Sequence, residues 1–272
     1  MDDGSDLAII SGSGKLPLLI KKLYKQAIYI TFANSKKTTE NKVVNCQFEK
    51  LGFLFDSLKQ NGVRRVVMAG SMSRPQFDRS KLDQYTLSIM PKLSAKLIQG
   101  DNELLTFIAE EFEKNGYQIL GASEILPDLL LKPGFVVGSP YEFISRDIEK
   151  ANKILKILSP EDIGQGVVVE NGLVLGIETL QGTNELLKFV IKTSSHLRKD
   201  DSGGIFVKRP KSNQNLRFDM PVVGPETIEL ACKAGLRGLV VSPQSVLVLD
   251  REKCIQIAEA NNFFILAEEA KK

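Results

Sequence analysis

The chain has 272 residues, of which 43% are hydrophobic and 25% charged, with a formal net charge of +3. That length and composition fit a folded protein with a large core, in one large domain or two ordinary ones. The charge is too small to argue for nucleic acid by itself. Cys46, Cys232 and Cys254 are far apart and make no CxxC pair, which suggests a reducing compartment and no zinc site. The single histidine, His196, gives His-based metal sites and Ser-His catalysis at most one candidate. It follows Ser194 and Ser195 in a polar segment and reads as a surface residue. The acidic start, MDDGSDLAII, does not fit a signal peptide, and no apolar run approaches a membrane span. The expectation is a cytoplasmic protein, with a membrane-surface substrate left open.

Taken in order, Leu7 to Ile10 reads as a strand, Ser11 to Gly14 as a glycine turn, and Leu16 to Leu23 as a helix. Such a turn can hold an anion on its backbone N–H groups, with Gly12, Ser13 and Gly14 as candidates. The dinucleotide pattern fails, because Pro17 stands where a third glycine belongs, and a tight turn without ligand reads equally well. Ala27 to Phe32 is a second strand, Leu51 to Leu58 a helix stopping before Gly62, and Val63 to Met68 a third strand. The turn after it contains Gly70, and Met72 to Phe77 follows at a position where α/β sheets place ligand groups, with Arg74 available for an anion. Asp101 reads as the N-cap of a helix carrying Leu104, Leu105, Phe107, Ile108 and Phe112. Tyr117 to Leu120 is a further strand. This alternation implies a mostly parallel, doubly wound sheet.

The pattern changes near Leu131 to Gly134, which places the expected domain ranges at 1–133 and 138–272. Ser145 to Leu158 reads as a helix. Val167 to Val169 and Leu173 to Ile177 read as a hairpin about Asn171-Gly172. Gly182 to Ile191 is a helix with Thr183 or Asn184 near its cap. Strands near Ile205, Leu239, Val246 and Phe263 and helices over Glu226 to Ala234 and Arg251 to Ala260 complete a mixed α/β half.

Between Gly203 and Gly224 lies a long loop with Lys208, Arg209, Lys211 and Arg217 around one acid, Asp219. A long ordered loop is usually functional. Cations around a carboxylate suit a phosphate-bearing substrate, with the acid left for a metal or a water. A solvated basic loop is the plain alternative.

The ordered series Asp162-Ile163-Gly164-Gln165-Gly166, Asn171-Gly172, Glu178 with Gly182-Thr183, Lys208 with Pro210, and Arg217-Phe218-Asp219-Met220-Pro221 is specific as a set. With Gly12, Gly14, Leu16, Pro17, Arg74-Pro75 and Gly100-Asp101, it resembles the I-type UDP-2,3-diacylglucosamine pyrophosphatases of lipid A synthesis over nearly the whole chain. The resemblance implies an N-terminal Rossmann-like parallel sheet and a C-terminal mixed α/β domain, with a substrate cleft between them. It implies Mg²⁺-dependent hydrolysis to UMP and 2,3-diacylglucosamine 1-phosphate, with water attacking the sugar-side phosphorus.

On that resemblance Asp219 is the catalytic acid, and Asp219 with Glu178 are the metal ligands. Gly12, Ser13, Gly14, Gly70, Arg74, Gln165, Gly182, Thr183, Lys208 and Arg217 are substrate contacts. The family usually carries acids where this chain has Gln181, Asn184 and Asn215, so no metal role passes to those amides. A nucleotide-sugar transferase and a non-catalytic ligand-binding regulator remain alternatives. Peripheral contact with the inner membrane and a homodimer also stay open.

Overall fold

The computed structural model describes residues 2–32, 42–72, 74–141, 144–193, 195–198 and 203–270. The chain divides into two compact units. Unit 1 is residues 1–127 with 217–219, and unit 2 is residues 128–216 with 220–272.

In unit 1, β1 (Leu7–Ser11), α1 (Leu16–Leu23), β2 (Ile28–Phe32), β3 (Val43–Cys46), α2 (Leu51–Gln60) and β4 (Arg65–Ala69) come first. They are followed by α3 (Gln84–Gln99), α4 (Asp101–Lys114), β5 (Gln118–Leu120) and the short α5 (Ala122–Ile125). The strands lie in the order β3-β2-β1-β4-β5, all parallel. The expected Rossmann-like parallel sheet is therefore present, with its change of winding direction between β1 and β4. Apolar runs such as LAIIS and IYITF are buried throughout, as a sheet covered on both faces requires. One core forms where Ile10, Ile30, Leu54, Val66, Phe112 and Ile119 pack together.

Three local readings change. Asp101 is not the N-cap of α4. Gly100, at φ 131°, holds that position, and Asp101 lies in the first turn. A carboxylate still suits the positive end of the helix there. The helix α3 spans a stretch to which the sequence reading assigned no element, and it carries Pro91 inside it. Its start is capped by Asp83, whose side chain accepts from the Thr86 N–H at 2.8 Å. The strand β3 was also absent from the sequence reading.

In unit 2, β6 (Gly134–Val137), α6 (Ile144–Leu158), β7 (Gly166–Glu170), β8 (Leu173–Ile177) and α7 (Gly182–Ile191) are followed by β9 (Ile205–Lys208) and β10 (Val222–Val223). Then come α8 (Pro225–Lys233), β11 (Gly238–Val241), β12 (Leu247–Val248), α9 (Arg251–Ala260) and β13 (Phe264–Ala267). The main sheet runs β6-β13-β11-β9-β7-β8, with β9, β11 and β13 parallel and β6, β7 and β8 each antiparallel to its neighbours. This is the mixed sheet expected of the second half. Residues 134–137, between the two expected domain ranges, form its edge strand β6. The Asn171-Gly172 hairpin forms as read, and its turn N–H groups donate to buried Asp147 at 2.9 and 2.7 Å.

Alternation along β9 divides its neighbours. Ile205 and Val207 pack with Ile148, Ala151 and Leu155 of α6. Phe206 faces the other core, with Leu186 and Val190 of α7 and Ile228 of α8. Side-chain period two therefore decides which face each residue at the end of β9 can serve.

The glycine turn of unit 1 is closed by backbone pairing. The N–H of Gly12 donates to Ala69 O at 2.8 Å, and the Ser13 N–H to Ser71 O at 2.7 Å. The Ser71 N–H returns to Ser13 O at 3.0 Å. A Cβ on Gly12 would lie 2.4 Å from Ser71 O, and one on Gly70 2.4 Å from Ser13 O. Glycine is needed at both because two backbones meet there. Gly12→Ala is expected to lower unfolding free energy by roughly 1–3 kcal/mol, read from urea denaturation. An unchanged midpoint would contradict this close approach.

Candidate active site

The end of β9 and the connection from β8 to α7 meet over a buried ion pair. The Lys208 Nζ donates to Glu178 Oε1 at 2.8 Å, to Glu178 Oε2 at 2.6 Å and to Thr183 Oγ1 at 2.8 Å. The Thr183 hydroxyl in turn donates to Glu178 Oε1 at 3.0 Å. Lys208 and Glu178 are 2% and 6% exposed, so neither charge is shared with bulk water. An ammonium has three N–H donors, and these contacts supply an acceptor for each.

The local sequence is built for this pair. Gly166 faces Lys208 across the β7–β9 ladder, and a Cβ on it would lie 2.4 Å from Glu178 Oε2. Gly164, at φ 48°, leaves room for the Glu178 carbonyl, which a Cβ would approach to 1.8 Å. The Glu178 N–H donates to Gly166 O at 2.8 Å. Gly182 opens α7 at φ 81° with open space beside it. Its preceding residue Gln181 is the cap, without a side-chain cap bond. Thr183 is thus not the cap; its hydroxyl serves the ion pair.

Gln165 stands one step further along the ladder, where its carbonyl accepts from the Arg209 N–H at 2.9 Å. Alternation puts Gln165 and Arg209 on the α6 face, away from Lys208. Arg209 confirms that face by donating to Asn152 of α6.

The remaining cations of the long loop are paired. Lys211 bonds Asp162, and Arg217 donates to Glu113 at 2.8 Å. The loop is tied to the end of α6 by the Ser212 N–H on Ser159 Oγ. Phe218 is buried in the core of unit 1, and Pro221 O accepts from the Leu247 N–H at 2.8 Å. Half-buried Asp219 lies between these two anchors and belongs by packing to unit 1.

Of the other candidates, Gly12, Ser13 and Gly70 are in the closed turn, whose Gly12 and Ser13 N–H groups are spent on backbone carbonyls. Gly14, at φ 101°, has open space beside it. Arg74 pairs with Asp101 at 2.8 Å, both about half exposed. Glu178, Thr183, Lys208 and Gln165 lie in unit 2, while Asp219, Arg217, Arg74 and the glycine turn lie in unit 1. Sequence reasoning did not anticipate that Glu178 and Lys208 bond each other; Gly166 opposite Lys208 was the available signal. Burial pushes the thiols of Cys46 and Cys232 up to about 11, which disfavours their thiolate forms near neutral pH.

A metal can be tested against these donors. Among the described residues no three of His, Cys, Asp and Glu gather as a metal cage. Glu178 is a poor fit for a divalent cation, because the Lys208 ammonium lies against both of its oxygens and already balances its charge. Half-buried Asp219 offers one carboxylate, the donor type that magnesium takes together with phosphate oxygens and water.

The units define a two-part α/β protein with a Rossmann-like sheet and a mixed sheet that buries a lysine–carboxylate pair at the end of β9. The family models "LpxI N-terminal domain" and "LpxI C-terminal domain" match residues 6–129 and 134–266, so the chain belongs to the LpxI family. A curated relative, the UDP-2,3-diacylglucosamine pyrophosphatase LpxI of Caulobacter vibrioides, is 36% identical over 220 residues, 80% of this chain and 79% of the relative.

The buried pair predicts a strong coupling. Lys208→Met leaves Glu178 unpaired and is expected to cost roughly 3–5 kcal/mol of stability. The double variant Lys208→Met/Glu178→Gln should recover part of that loss. Additive losses in urea denaturation would show that the two side chains act independently.

Proposed function

We propose that the chain hydrolyses the pyrophosphate bond of UDP-2,3-diacylglucosamine, giving UMP and 2,3-diacylglucosamine 1-phosphate in lipid A biosynthesis. The observation that carries this reading is the match to both LpxI domain models, together with the named relative over four-fifths of the chain. Among the described residues, no helix is long and apolar enough to cross a membrane, so the acylated substrate must be met by a protein without such a helix there.

Asp219 is the acid in this reading. Phe218 in the core and Pro221 on β12 limit its movement, which suits a group that must hold one position during reaction. Asp219 and the substrate phosphate oxygens would hold Mg²⁺, whose chemistry when bound is to offset pyrophosphate charge. Asp219 also orients the attacking water toward the sugar-side phosphorus. Glu178 holds Lys208 in place rather than binding metal.

Incubating the protein with UDP-2,3-diacylglucosamine and Mg²⁺ should release UMP, and chelation with EDTA should stop it. Asp219→Ala should fold with an unchanged melting temperature and lose roughly two orders of magnitude or more in turnover. Turnover within a few-fold of the parent would remove Asp219 from the reaction.

A further inference from the structure

The cations between Lys208 and Arg217 in the chain are not equivalent. Lys208, Lys211 and Arg217 each have a carboxylate partner, in Glu178, Asp162 and Glu113. Arg209 makes no ion pair within 4 Å among the described residues, although it is only 5% exposed. Its Nε donates to Asn152 Oδ1 at 2.5 Å. Its Nη1 donates to Ser242 Oγ at 3.0 Å and to Glu268 O at 2.5 Å. Nη2 is buried with no hydrogen-bond partner, and so is Oε1 of the cross-strand neighbour Gln165. A guanidinium has five N–H donors, so two are unspent here. Burial pushes the Arg209 pKa below its ordinary value, with Glu268 and Glu269 acting against that.

The position matters as much as the vacancy in bonding. Arg209 follows β9, Ser242 follows β11 and Glu268 follows β13. The guanidinium therefore lies across the carboxyl ends of three adjacent parallel strands, the edge at which open α/β sheets take ligands. Every hydrogen-bond partner of this buried cation is neutral, and Glu268 and Glu269 act on it only without a direct ion pair, so its desolvation is incompletely offset. A buried, unfilled N–H pair on the same sheet face as the unfilled acceptor of its cross-strand neighbour is the complement of an oxyanion that also carries a hydroxyl or an ordered water.

We propose that Arg209 is a phosphate contact, donating its Nη2 N–H groups to a phosphate oxygen while Gln165 Oε1 accepts from a hydroxyl or water of the same group. This deepens the hydrolase reading by adding a phosphate-holding residue to it, and the binding itself can be read without turnover. The competing account is an arginine that only ties strand ends together.

The test uses the full chain with inorganic phosphate and with UMP as probes, against chloride at matched ionic strength. Thermal shift and calorimetry give the apparent affinity. The parent should be stabilised by phosphate beyond the chloride control. Arg209→Met should bind at least about tenfold more weakly, while Lys211→Met should keep the parent shift. If Arg209→Met does not fold, Arg209→Lys, which keeps the charge and loses the planar fork, should weaken phosphate by a similar factor. Parent affinity in the variant, or no phosphate effect on the parent, overturns the contact. UMP release by the parent separates the two claims. Arg209-dependent phosphate binding without turnover upholds the contact and removes the reaction, whereas turnover with Arg209-independent binding removes the contact alone.

Discussion

Unit 2 is organised around an electrostatic constraint: Lys208 cannot be buried at the end of β9 without a carboxylate. Taking an ammonium out of water costs several kcal/mol, and only a well-placed acid with further hydrogen bonds offsets it. Glu178 provides both oxygens, and Thr183 provides a hydroxyl. The local chain follows from this. Glycine is required at 164 and 166 so that the Glu178 backbone and carboxylate fit. The antiparallel β7–β9 ladder brings Gly166 opposite Lys208, and the connection from β8 must deliver Glu178 before α7 begins.

The same period-two geometry sends the next residue to the opposite face. Lys208 is closed against Glu178, whereas Arg209 reaches across β11 to the end of β13 with donors to spare. Two adjacent cations in the sequence thus have different physics. A basic cluster read in sequence as one phosphate-binding group becomes three ion pairs and one buried guanidinium without a direct ion pair among the described residues. Surface pairs such as Arg74–Asp101 contribute little to stability. The buried pair Lys208–Glu178 acts mainly by fixing geometry.

Much of this was legible in the residues. The strand–turn–helix opening, the Asn171-Gly172 hairpin and the parallel first half all follow from periodicity and turn chemistry. What was missed had local causes. Pro91 argues against a helix, yet α3 forms around it because the Asp83 cap and the packing of Leu93 outweigh the lost backbone bond. The strand β3 is only Val43–Cys46 and carries Asn45, so no alternation marks it. The glycines at 12 and 70 look like a phosphate cradle in sequence, but each makes room for the other's backbone. Long-range pairing of this kind, like the Glu178–Lys208 contact across 30 residues, leaves no short-range pattern. The family resemblance pointed to Glu178 as a metal ligand; the structure shows its carboxylate bonded to Lys208.

Asp219 gathers the account into one chemical claim, since it is the acid fixed between a core phenylalanine and a strand-bound proline. If it directs water to the phosphorus next to the sugar, the oxygen from water must appear in one product and not the other. The direct measurement is hydrolysis of UDP-2,3-diacylglucosamine in ¹⁸O-water with Mg²⁺, followed by mass spectrometry of both phosphates. The account predicts the label in 2,3-diacylglucosamine 1-phosphate and unlabelled UMP. Label in UMP, or no hydrolysis at all, would contradict it.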